Sequence, residues 1–253
     1  MKESKKPTQV KPRLKLILSL VALIGLLILA AYSIYAILHP KPQTTIQPPT
    51  EKILVATVGD SITYGPNELT KNRETDTYPA QLQVKLGNVF TVKNFGSNAR
   101  TLLSSGDYPY KEDPVFAESI KANPDVVVIM LGTNDAKPSN WNAAQYEKEL
   151  AEFVELYKSI KSKPHVYLVT VPAVYNDTLG IPTKTIETEV VPAIRRVSGA
   201  TQTSLIDVFY ATKNRPELFI DGVHPTKEGN ILLANVIYDG MRNYYRNSNP
   251  ATR

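Results

Sequence analysis

The sequence predicts an α/β fold, a three-layer α/β/α sandwich with a central parallel sheet, preceded by one N-terminal transmembrane helix. Three observations lead there. Short runs rich in Val, Ile and Leu alternate with segments of helical period from Ile53 to Tyr245, and that alternation argues for parallel strands joined by helices. Runs such as Ile53–Val58 and Val126–Leu131 are apolar or β-branched throughout instead of at every second position, as in strands buried on both faces. The first run empties into Gly59-Asp60-Ser61-Ile62-Thr63-Tyr64-Gly65. A serine therefore sits on a glycine-bracketed turn at the C-terminal end of a strand, the edge where open α/β sheets bind ligands.

Residues 1–15 read as a basic cytoplasmic tail. Leu16 to Leu38 has no charge; as a helix it is about 35 Å long, enough for a ~30 Å hydrocarbon core. Six Lys/Arg precede it, so the positive-inside rule places the N-terminus in the cytoplasm and the rest outside. The expected partner of 16–38 is the lipid bilayer. A cleaved signal peptide, with small residues in Ala31-Tyr32-Ser33, is the rival and would make the protein secreted. The apolar run continues past that point through Ile37-Leu38, which favours the anchor. Residues 39–50, His-Pro-Lys-Pro-Gln-Thr-Thr-Ile-Gln-Pro-Pro-Thr, form a semi-rigid Pro-rich linker, and 51–253 form one domain, expected to be monomeric.

Within that domain Ile53–Val58 is strand one, Tyr78–Leu86 a helix, and Phe90–Phe95 strand two. A Gly/Ser/Pro-rich loop then runs to Pro114. Val115–Ala122 is a short helix and Val126–Leu131 the third strand. Ala143–Ile160 is a helix with Tyr146, Leu150, Phe153, Val154, Tyr157 and Ile160 at helical spacing. Val166–Val171 is strand four, Thr185–Arg196 a helix interrupted near Pro192, Ser204–Ile206 strand five, and Thr226–Tyr245 the closing helix.

Composition narrows the function. The chain of 253 residues carries a net charge of +5, but residues 1–50 hold seven Lys/Arg and one acid, leaving 51–253 nearly neutral with 22 basic and 23 acidic residues. No basic face is left for a nucleic-acid partner. With no cysteine, disulfides, thiolate metal sites and a cysteine nucleophile are excluded.

Four segments fall where functional loops belong. They are the Ser61 turn, Asn94-Phe95-Gly96-Ser97-Asn98-Ala99-Arg100 after strand two, Gly132-Thr133-Asn134-Asp135 after strand three, and Asp221-Gly222-Val223-His224-Pro225 before the closing helix. Together they supply the parts for acyl transfer. Serine needs a base within reach. His224 suits, whereas His39 is in the linker and His165 opens a strand. Asp221, three residues earlier, can hold the imidazole, and Pro225 restricts His224 to extended backbone. Ser61 N–H, Gly96 N–H and the Asn134 amide are the available oxyanion donors.

These four blocks, in this order over most of 53–245, resemble the SGNH (GDSL-type) hydrolases. The resemblance implies a flavodoxin-like sandwich, ester hydrolysis without metal or organic cofactor, Ser61 as nucleophile, His224 as base, Asp221 as its orienting acid, and Ser61, Gly96 and Asn134 as oxyanion hole. Ile62 stands where many members have Leu. Tyr78-Pro79-Ala80-Gln81-Leu82, Gly106-Asp107-Tyr108-Pro109-Tyr110 and Lys137-Pro138-Ser139-Asn140-Trp141 resemble the carbohydrate O-acetylesterases of the group. The expected activity is therefore an extracytoplasmic serine esterase removing acetyl groups from a glycan. The competing readings are a lysophospholipase or thioesterase, an envelope O-acetyltransferase, and a non-catalytic glycan-binding module.

Other residues carry two readings each. Asp60 and Asp135 are expected to brace loops by accepting backbone N–H groups instead of binding metal. Asp207 could replace Asp221 or cap a turn. Trp141 either stacks on a sugar or staples the start of the 143–160 helix. Tyr64 either lines the substrate pocket or packs. Arg100 and Lys137 could meet an acidic substrate but are expected at solvated surface, and Tyr244-Tyr245 is expected outside the site.

Overall fold

The computed structural model describes residues 12–38, 52–65 and 72–242, in two compact units, Met1–Gln47 and Pro48–Arg253. In the first, helix α1 runs over Pro12–Leu38, starting ahead of the apolar stretch read from the sequence. Its side chains are described at positions 20, 21, 23–35 and 38, all exposed. Among the described residues no helix is long and apolar enough to cross a membrane. The tail 1–11, the linker 39–50 with His39, and Tyr244-Tyr245 lie outside the described residues.

The second unit is built on five strands: β1 (Ile53–Gly59), β2 (Phe90–Gly96), β3 (Val126–Met130), β4 (His165–Val169) and β5 (Ser204–Ile206). Their order is β2-β1-β3-β4-β5 and every pair is parallel. This is the flavodoxin-like order, in which the chain reverses direction across the sheet after β2. Because parallel crossovers are right-handed, that reversal sends helices to both faces. Helices α2 (Ser61–Tyr64), α3 (Arg73–Asp76) and α4 (Tyr78–Leu86) follow β1. Helix α5 (Pro114–Lys121) follows β2, α6 (Ala143–Ser159) follows β3, and α7 (Thr183–Thr185) and α8 (Val191–Ala200) follow β4. Helices α9 (Val208–Thr212) and α10 (Lys227–Gly240) close the chain. Helix α4 packs on α10, and α6 on α8.

Burial explains the pattern. All five residues of β3 are at most 1% exposed, and covering such side chains contributes about 1.5–3 kcal/mol each, which is why the central strand has no polar face. Helix α6 buries Tyr146, Leu150, Phe153, Val154 and Tyr157 as its periodicity predicted, and its Asn142 cap accepts the Gln145 N–H at 3.0 Å.

Most boundaries fall within a residue of the sequence reading, and three places differ by more. β4 ends at Val169, two residues early. Thr170 then turns its hydroxyl toward Asp207 at 3.1 Å and accepts the Phe209 N–H at 2.9 Å. The interruption near Pro192 is a change of winding and not a break: Ile186–Val190 widens into a π turn between α7 and α8, a common way for a helix to accommodate a proline. Helix α10 ends at Gly240.

Register positions the site. Gly59 lies level with Gly96 on β2 and with Met130 on β3, so these strands end flush. The loops bearing Ser61 and Asn134 leave from neighbouring strands at the topological switch point between β1 and β3.

Candidate active site

Ser61 is the first residue of α2, a single turn with defined ends. The Asp60 side chain accepts the Ile62 N–H at 2.9 Å, and Gly65, at φ 74°, closes the turn with its N–H on the Ser61 carbonyl at 2.8 Å. The Ser61 N–H heads this turn and has no partner within it. Asn94 on β2 holds the turn to the sheet by donating to the Thr63 carbonyl at 2.7 Å.

His224 reaches Ser61 from the far end of the chain. Its Nε2 lies 2.8 Å from Ser61 Oγ, and its Nδ1 lies 2.7 Å from Asp221 Oδ2. The other oxygen, Asp221 Oδ1, accepts the N–H groups of Val223 at 3.0 Å and His224 at 2.8 Å. Burial alone would raise the pKa of Asp221. The His224 backbone N–H and ring, with the Val223 N–H, outweigh it and hold the carboxyl below its ordinary value. The three-residue spacing depends on Gly222, at φ 85°, where an added Cβ would lie 2.6 Å from the Tyr175 carbonyl oxygen. Ile220 donates to the His224 carbonyl at 2.8 Å, closing the loop below the ring.

The expected oxyanion donors divide. Asn134 Nδ2 donates to the Arg100 carbonyl at 3.1 Å and the Asn134 carbonyl accepts from Asn140 at 3.0 Å. One amide hydrogen is thus used for orientation, and the amide has a second. Gly96 is a correction. Its N–H donates to its neighbour Asn94 Oδ1 at 2.8 Å, so it is committed inside its own loop. What requires glycine there is close approach: a Cβ would stand 2.2 Å from Tyr64 N. The sequence reading also missed Ala99, whose left-handed φ of 61° turns the β2 loop so that Arg100 faces Asn134. No glycine marked that turn.

The remaining candidates have partners within the protein. Arg73 lies over the Tyr64 ring at 3.8 Å and its Nε donates to the Tyr64 carbonyl at 2.8 Å, so one face of Tyr64 is covered. Trp141 donates through Nε1 to Glu189 at 2.5 Å and tilts against Tyr146 of α6 at 5.2 Å, the staple arrangement. Arg100 is paired with Asp113 at 2.7 Å and Lys137 with Asp107 at 3.3 Å. Asp207 caps α9 by accepting the Tyr210 N–H at 3.0 Å and pairs with Arg195 at 2.5 Å. Among the described residues no cluster of His and carboxylates could hold a metal ion.

Asp135 does brace a loop, accepting the Leu102 N–H at 3.0 Å and the Leu103 N–H at 2.8 Å. Burial pushes its carboxyl up to about 7 and that of Asp60 up to about 6. An unfolded chain releases the Asp135 proton near 3.8, while the folded chain keeps it to about 7. Over that interval the folded state binds more protons, so this contribution to stability falls as pH rises. Urea unfolding of the wild type and Asp135→Asn at about pH 5 and pH 8 checks this. The wild type's advantage should shrink at the higher pH, and a constant advantage would refute it.

An alcohol, an imidazole and a carboxylate in series at the C-terminal edge of a parallel sheet define a class, the serine hydrolases. The chain belongs to the GDSL-like lipase/acylhydrolase family, whose model matches residues 57–231. An acetylxylan esterase of Xylanibacter ruminicola is 33% identical over 209 residues, covering 75% of this chain and 43% of that protein; the chain thus spans under half the length of this curated relative. The fold is similar to that of a carbohydrate acetylesterase family member from Sinorhizobium meliloti, with TM-score 0.61, 22% identity, and coverage of 77% of this chain and 97% of the other. It is likewise similar to a lipase/acylhydrolase from Enterococcus faecalis, with TM-score 0.60, 22% identity, and coverage of 76% and 96%.

Proposed function

We propose that this chain is a membrane-anchored, extracytoplasmic serine esterase that hydrolyses acetyl esters on a carbohydrate. The observation that carries the chemistry is the unbroken series from Ser61 Oγ through the His224 ring to Asp221, with separations of 2.8 and 2.7 Å.

In that reading His224 Nε2 takes the Ser61 proton as Oγ bonds to the ester carbonyl carbon. The carbonyl electron pair moves onto oxygen, where the Ser61 N–H and the Asn134 amide donate to it. On collapse the carbon–oxygen bond to the sugar breaks, and the sugar oxygen takes the proton from His224. Water then attacks the acetyl-serine, giving its proton to His224, and acetate leaves as Ser61 recovers its hydrogen. Asp221 stabilises the imidazolium formed in each half. The chemistry needs no cofactor.

Asn134→Ala should lower kcat by about 10²–10³ with a small change in KM, because the amide acts on charge that develops only in the transition state. Steady-state kinetics check it; an unchanged kcat would remove Asn134 from the oxyanion hole.

Support for the acetylated carbohydrate comes from the acetylxylan esterase relative and from the motifs at 78–82, 106–110 and 137–141. An acyl-chain and scaffold panel tests it. Acetyl esters on xylan should be preferred to long-chain lysophospholipids and to thioesters, and release of free acetate with a sugar acceptor present should exceed transfer to that acceptor. Support for anchoring comes from the uncharged stretch 16–38 following six basic residues. The mature protein should keep its full length in the membrane fraction; loss of ~33 residues would instead mean signal cleavage.

A further inference from the structure

We propose that Tyr108 is a substrate-binding residue, the platform on which a pyranose ring of the acylated glycan lies while its ester reaches Ser61. This rests on the carbohydrate reading above and adds the surface that recognises the sugar.

The aromatic side chains near the site divide into spent and available. The Trp141 ring packs on Tyr146 and its N–H is held by Glu189. One face of Tyr64 is covered by Arg73. Tyr110 is fully buried, with its hydroxyl donating to the Phe95 carbonyl at 2.6 Å. Tyr108 is 54% exposed, although Pro109 and Tyr110 beside it are buried.

A single exposed apolar side chain is ordinary on a protein surface. What sets Tyr108 apart is its attachment. Its carbonyl accepts the Thr101 N–H at 3.0 Å, and the Thr101 carbonyl accepts the Tyr110 N–H at 2.8 Å. Thr101 directly follows Arg100, whose carbonyl orients the Asn134 amide. Tyr108 is therefore tied to the same piece of main chain that aims the oxyanion donor. The Arg100 guanidinium lies over one face of the Tyr108 ring, 5.9 Å from its centre, farther than Arg73 from Tyr64. Asp113 at 2.7 Å and Ser97 Oγ at 3.1 Å fix that guanidinium. The Ser97 N–H in turn bonds the Gly59 carbonyl at 3.0 Å, two residues before Ser61.

The chemistry of this corner suits a sugar. A pyranose presents a face of weakly positive C–H groups, which rests favourably on the negative face of an aromatic ring. Its rim of hydroxyls needs both donors and acceptors. The Lys137–Asp107 pair, one residue along from Tyr108, and Arg100 provide them. A main chain already held in place loses little freedom when a ligand arrives, which favours binding.

The test is steady-state hydrolysis by the full chain of an acetylated xylo-oligosaccharide and of ethyl acetate, which has no ring. Tyr108→Ala should raise KM for the oligosaccharide about tenfold at similar kcat, so the ratio of kcat/KM between the two substrates falls about tenfold. Tyr108→Phe, which keeps the ring face, should keep the ratio. An unaltered ratio in Tyr108→Ala overturns the proposal, as does an equal loss on both substrates. A fall in Tyr108→Phe matching that in Tyr108→Ala would assign the hydroxyl, not the face, and overturn stacking. A wild type that cleaves ethyl acetate but releases no acetate from the oligosaccharide overturns the carbohydrate reading itself, leaving the esterase chemistry standing.

Discussion

Ser61→Ala is expected to lower turnover of p-nitrophenyl acetate by at least about 10⁴-fold and to abolish labelling by a fluorophosphonate probe. The hydroxyl is the atom that bonds to carbon, and no neighbour can substitute for it. Thr63, the next hydroxyl in the turn, lies within hydrogen-bond distance of the Tyr78 hydroxyl at 2.9 Å and is buried. The loss should be purely chemical. Helix α2 is held by the Asp60 cap, the Gly65 closure and Asn94, none of which uses Ser61 Oγ, so the unfolding free energy should move by less than about 0.5 kcal/mol. Undiminished turnover in a folded variant would refute the nucleophile assignment.

Asp221→Asn should cost about 10³–10⁴ in kcat. An asparagine Oδ1 can still accept the Val223 and His224 N–H groups that Asp221 Oδ1 accepts now, so the loop should keep its shape. The second position then carries an NH₂ facing His224 Nδ1. Two donors cannot share that contact, so Nδ1 must become the acceptor and the ring proton moves to Nε2. A protonated Nε2 cannot take the proton of Ser61. Asp207→Asn provides the contrast, because Asp207 serves Thr170, Tyr210 and Arg195 instead of the imidazole. Its activity should stay within about threefold of the wild type. Equal losses in the two variants would make Asp207 a contender for the orienting acid.

Much of the fold was legible because its signals are local. β3 reads as a buried strand from its own five residues, and α6 announces its inner face by spacing alone. Pro192 was a harder case. The chain shows a proline inside a helical pattern, but whether the helix breaks or widens depends on what it packs against, and Ile186 and Val190 on the π turn are both fully buried. The site divided in the same way. Ser61, His224 and Asp221 could be named because each chemistry demands a particular residue type. Gly96 was misassigned because a glycine needed for close approach and one needed to present an N–H look identical in sequence. Ala99 was missed because a left-handed turn at a non-glycine residue leaves no mark.

The sequence by itself determined the elements, their order and the reagents, since strand burial, helical period and functional-group chemistry are properties of residues and short segments. Tertiary structure decided which donors remain open to a substrate, which aromatic ring is covered and which carboxylate meets the imidazole. Those outcomes depend on hydrogen bonds between segments as much as 163 residues apart, like that of Ser61 with His224. A bond of that kind forms only once the sheet register has brought the loops to one rim.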